Sequence, residues 1–101
     1  MKKREIDTLS DEISSFKKTR ELYKKRFWIG SRAMDYEQRR LVRKLFMKID
    51  RLRNHLKLWL RLLISNKASN RDNYVQLINK GKIEIQNSFK QLDRIMQKQV
   101  Q

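Results

Sequence analysis

The chain has 101 residues, 26 of them lysine or arginine against 11 aspartates and glutamates, so its formal charge is +15. It contains no cysteine, which excludes disulfides and cysteine-based zinc sites and leaves the redox compartment open. A chain this short buries only about 60–65% of its extended surface when compact. Its core is therefore efficient or shared with a partner, and its charge must attract a polyanion: nucleic acid, an anionic membrane face or an acidic protein.

Proline is absent, only Gly30 and Gly81 interrupt helical preference, and Leu, Lys, Arg, Gln, Met and Glu are plentiful. Each of those six favours helix, so the fold class is all-α. The positive opening Met1-Lys2-Lys3-Arg4 is followed by Glu5, Asp7, Asp11 and Glu12 instead of an apolar run, and no cleavable export signal is visible. The longest apolar stretch, Leu56 to Ile64, is broken by Lys57 and Arg61 and falls short of the roughly 18 residues a membrane span needs. These features predict a chain without a membrane span, cytoplasmic or exported by a non-cleaved signal.

The first predicted helix covers about residues 8–27. Thr8 and Asp11 have the spacing of a cap, and Leu9, Ile13, Phe16, Tyr23 and Phe27 share one face. Lys17, Lys18, Arg20, Lys24, Lys25 and Arg26 take the other. A break follows at Trp28-Ile29-Gly30, where Gly30 is expected to end the helix in a left-handed C-cap and Trp28 to pack into the corner against Tyr23, Phe27 or Phe89.

The second helix is predicted over about residues 31–65 with Ser31 as its cap. Its stripe runs Met34, Gln38, Leu41, Leu45, Ile49, Leu52, Leu56, Trp59 and Leu63 in steps of three and four. Such a seam over about four heptads implies a helix of roughly 50 Å. Arg39, Arg40, Arg43, Lys44, Lys48, Arg51, Arg53, Lys57 and Arg61 fill the rest of the cylinder, a candidate surface for phosphate contact, against a solvated face or one that attracts an acidic protein. Leu58 and Leu62 stand off the stripe and need a cover, from a third helix or from another chain.

Residues 65–73 are rich in turn formers, with Asn70 and Asp72 as candidate caps. A third helix over about 73–97 carries Val75, Ile78, Ile85, Phe89, Leu92 and Met96, although Gly81 weakens it and Lys82 to Gln86 briefly alternates like a strand. The last five residues are expected to fray. Together these predict an antiparallel hairpin or three-helix arrangement with a long central helix.

No chemistry accompanies this pattern. His55 stands without a second histidine or a cysteine at ligand spacing, the carboxylates are scattered, and no nucleophile set or phosphate loop is present. The chain reads as a non-enzyme with no cofactor and no metal site.

Trp28 and Gly30, followed by Ala33 and Tyr36, give Trp-x-Gly-x-x-Ala-x-x-aromatic. This pattern resembles the WXG family, small helical proteins of type VII secretion, and their relatives encoded beside LXG toxins. The resemblance implies that Trp28 and Gly30 form a turn between antiparallel helices, with Ala33 and Tyr36 packed closely after it. The family's C-terminal export element is an aromatic residue followed four positions later by an acid; Phe89 and Asp93 look like it, with Phe in place of the usual Tyr. The three-helix pattern, the short first helix and the charge depart from the family.

The resulting expectation is a helical interaction protein resembling a WXG-like adaptor, anchored through Leu58, Trp59, Leu62, Phe89 and Asp93 on a helical partner. That partner would be an acidic protein, a toxin's N-terminal helical region or a second copy. The alternative is a small basic protein that lays its central helix along nucleic-acid phosphates.

Overall fold

A computed structural model describes residues 3–65 and 71–97. Three helices account for nearly all of them: α1 (Lys3–Gly30), α2 (Tyr36–Ser65) and α3 (Arg71–Gln97), with a short 3-10 turn, Ser31–Ala33, after α1. The all-α expectation is met, including the residues 82–86 that alternate like a strand. Thr8 lies inside α1, not at its start, and Asp72 lies in the first turn of α3. Asn70 and residues 98–101 are outside the described residues.

Direction follows from cross-helix pairs. Arg20 meets Asp50 and Phe27 meets Phe46, so α1 and α2 run antiparallel. Glu12 meets Lys82 and Tyr23 meets Asp93, so α1 and α3 run parallel. The bundle measures 51 × 21 × 16 Å, and its most extensive contact is that of α2 with α3. Val42, Ile49, Leu56, Ile78, Ile85 and Leu92 are each fully buried. Each such side chain contributes about 1.5–3 kcal/mol by leaving water, against about 0–1 kcal/mol for an exposed ion pair, so this core outweighs the polar contacts around it.

The predicted stripe of α2 is buried at Leu45, Ile49, Leu52, Leu56 and Leu63, and the buried face extends beyond it on one flank. Leu41 is 48% exposed, while Val42, Phe46 and Leu60 are buried. The reason is that α2 packs against two helices at once, and α1 adds Phe46 and its flank to the side that α3 covers. Gly81 has a role that its low helix propensity does not suggest. A Cβ there would lie 2.8 Å from Leu56 Cδ2 and 3.3 Å from Trp59 Cζ3, so the missing side chain lets α3 approach α2.

The break between α1 and α2 is built differently from the expectation. Gly30 has φ −89° and ψ −7°, a right-handed conformation open to any residue, and is not a left-handed cap. Ser31 caps no helix; its hydroxyl donates to the Trp28 carbonyl at 3.2 Å. The cap of α2 is Asp35, whose Oδ1 accepts the Gln38 N–H at 2.8 Å while Gln38 Oε1 accepts the Asp35 N–H at 3.1 Å. This reciprocal pair satisfies donors that the helix start leaves free.

The two glycines should therefore respond oppositely to substitution. Gly30→Ala is expected to raise stability by about 0.4–1 kcal/mol, because the backbone is compatible and only Met34 Cε lies near, at 3.9 Å. Gly81→Leu is expected to lower it by about 1–3 kcal/mol through overpacking. Urea unfolding of both variants checks the pair; equal effects would contradict the close approach at Gly81.

Candidate interaction surfaces

Because α1 lies along one side of the α2–α3 pair, the opposite side of that pair is left to solvent among the described residues. Phe46 and Arg53 mark the flank of α2 that meets α1. His55 and Leu62 stand nine residues beyond each, about two and a half helical turns, and so face the opposite way. On α3, Asp93 meets α1, and Glu84, nine residues before it, faces away together with Leu77 one heptad earlier. His55 is exposed, with its ring centroid 5.6 Å from that of Trp59. Leu58 is 49% exposed and Leu77 39%, while Leu62 and Trp59 are half-buried.

Of the five residues expected to anchor a partner, three thus reach the surface and two do not. Leu58, Trp59 and Leu62 reach the surface, and so does Leu77 of α3, which the sequence pattern did not single out. Phe89 is 7% exposed and is a core residue, stacked on Tyr23 at 4.9 Å and 6.4 Å from Phe16. Asp93 is engaged inside the chain: it accepts from the Tyr23 hydroxyl at 2.8 Å and from Arg26 at 3.1 Å. The pair ties α1 to α3, because α1 supplies both donors at the level where Phe89 packs.

Burial pushes the Tyr23 phenol up from 10.0 to about 12, and the hydrogen bond to Asp93 adds to the shift while Arg26 opposes it. The Arg26 guanidinium also lies over the Tyr23 ring, 5.1 Å from its centroid. A matching clasp holds α1 to α2. Asp50 accepts from Arg20 at 2.8 Å and from Arg53 at 3.4 Å, and the Arg20 guanidinium lies 5.4 Å from the centre of the Phe46 ring. Arg20 and Arg26 therefore face neighbouring helices, against their expected place on a solvated basic face.

The nine basic residues of α2 divide in the same way. Arg53 belongs to the Asp50 clasp, and its side chain is 12% exposed. Arg39 is half-buried, whereas Arg40, Arg43, Lys44, Lys48, Arg51, Lys57 and Arg61 are exposed. None of these eight makes an ion pair with a carboxylate among the described residues. A shallow cleft of about 360 Å³ is lined by Tyr36, Arg39, Arg40, Arg43, Lys44 and Met47, so the first half of this face mixes cations with exposed apolar groups.

The Trp-x-Gly turn does not close the corner. Trp28 is 71% exposed and Tyr36 68%, and Ala33 is exposed as well, so none of the three is packed closely. The physical reason is helical phase. Tyr23 and Phe27 fill the inward side of α1, and Trp28, one residue on, is rotated about 100° from it. No family model, no curated protein and no solved structure matches this chain.

The Tyr23 contact gives a direct check of the α1–α3 junction. The folded chain holds the phenol neutral, so between about pH 10 and 12 the unfolded chain ionises first and this contribution to stability falls as pH rises. It is complete below pH 10. Spectrophotometric titration should show one tyrosine of the three ionising late, and Tyr23→Phe should remove that step; three tyrosines titrating together would contradict the contact.

Proposed function

We propose that the chain is a non-enzymatic helical interaction protein that receives a helix of another protein on the open side of its α2–α3 pair. The observation that supports this reading is the exposure of Leu58 and Leu77, with Leu62 and Trp59 half-buried, on the side turned away from α1. One helix already lies in the opposite groove, and a second would be accommodated by the same geometry, with the large Trp59 ring as anchor. Lys48 and Arg51 stand on the same side of α2 as the leucines, so an acidic amphipathic helix is the complementary partner. The resemblance of residues 28–36 to the WXG family suggests the same kind of role, an adaptor for the helical targeting region of a toxin.

A second reading is favoured by a separate observation, the eight basic side chains of α2 that make no ion pair among the described residues. Such a face releases counterions from nucleic-acid phosphates and binds with steep salt dependence and little sequence preference. The interaction reading accounts better for the apolar groups, which phosphates would leave in water.

Co-expression with the products of adjacent genes, followed by co-purification, separates the two. A helical partner should co-purify, and Leu58→Lys with Leu62→Lys should weaken its binding by roughly tenfold or more without loss of helical content. Absence of any such partner, together with oligonucleotide binding that falls steeply with salt, would favour the second reading.

A further inference from the structure

One surface is used neither by the open side of the hairpin nor by the basic face of α2. On the second half of α1, Leu22 is 61% exposed, Trp28 71% and Ile29 84%. Leu22 and Ile29 are seven residues apart and lie together on the side away from Phe16, Tyr23 and Phe27, and Trp28 stands about 100° round the helix from Ile29, at the other edge of the outward sector. Lys18 and Lys25 stand between them on the same side and are exposed, as is Lys24 nearby. The one acid in this sector, Glu21, lies 3.8 Å from Arg20. Large apolar groups thus sit in water among cations, on the outward curve of a helix.

We propose that this end of α1 rests in the plane of an anionic membrane surface, with Leu22, Trp28 and Ile29 entering the headgroup layer and the lysines meeting lipid phosphates. The choice of occupant follows from the side chains. A nucleic acid would reward Trp28 by base stacking but gives Leu22 and Ile29 nothing, because aliphatic groups gain only from an apolar phase. Lysines flanking such groups keep their ammonium groups in the phosphate layer while their stems follow the apolar surface. No helix among the described residues is long and apolar enough to cross a membrane, so the attachment is peripheral. Each of the two contributions is weak alone, and together they give binding that needs both anionic lipid and the apolar trio. This surface is separate from the open side of the hairpin, so the inference does not depend on the helix-partner reading.

The chain's two tryptophans make the test specific. Trp59→Phe leaves Trp28 as the sole emitter, and the variant is mixed with vesicles of phosphatidylglycerol and phosphatidylcholine in equal parts, or of phosphatidylcholine alone. The expected result is a blue shift and co-sedimentation with the anionic vesicles only, reduced roughly tenfold or more by Leu22→Ser with Ile29→Ser. Sedimentation of the unmodified chain and of its Leu22→Ser, Ile29→Ser form gives the same comparison should Trp59→Phe disturb the packing at Gly81. The proposal is overturned if the anionic vesicles bind nothing, or if the double variant binds as well as its parent, since charge alone would then suffice. It is equally overturned if Trp28 shifts without vesicles as concentration rises, because a second copy would then cover the patch.

Discussion

The approach of α3 to α2 at Gly81 is the contact on which the rest of the molecule depends. With only a hydrogen in place of a side chain, α3 comes close enough to α2 that an added Cβ would stand 2.8 Å from Leu56 Cδ2. Ile78 and Ile85 flank that glycine and are fully buried with Leu56, so the seam around it is dry. This closeness also decides where Trp59 goes. Its ring lies against the bare backbone at Gly81 and is left half-buried at the edge of the seam.

The polar contacts then determine where α1 lies and which charges are left over. Asp50, Asp93 and Glu12 are each drawn into an inter-helix pair, with Arg20 and Arg53, with Tyr23 and Arg26, and with Lys82. Charge-assisted bonds of this kind are directional, so they set the position of α1 more than they add to the total stability. Their consequence is electrostatic: carboxylates used between helices cannot neutralise the outer face of α2. The strong positive field of that face follows from the fold as well as from composition.

Much of this architecture was legible in the sequence because it rests on periodicity. Leu9, Ile13, Phe16, Ile49, Leu56, Ile85 and Leu92 are inward on the pattern alone, and Leu58 and Leu62 stand off it as they do in the structure. The shift from Leu41 to Val42 and Phe46 was not legible, because one helix's pattern does not reveal that it has two neighbours. Gly81 reads as a weak point for the same reason, since its role lies in the residue opposite. Asp35 and Gln38 do carry the spacing of a capping box, which could have located the start of α2. Trp28 was expected inside the corner, and Phe89, though on the inward stripe of the third helix, was expected to serve a partner as well. Phase put Trp28 outside, and the aromatic cluster with Phe16 and Tyr23 drew Phe89 inside.

In this fold α1 covers one side of the α2–α3 pair and leaves Leu58 and Leu77 exposed away from it. A chain without cysteine allows a direct measurement of this, because a single introduced thiol reports the accessibility of its own position. Leu58→Cys and Leu77→Cys should react rapidly with a water-soluble thiol reagent in the dilute chain, whereas Ile85→Cys and Val42→Cys should react only as fast as the fold opens. Protection of Leu58→Cys and Leu77→Cys to the level of Ile85→Cys, persisting at the lowest measurable concentration, would show that the chain itself covers this side and would contradict the account.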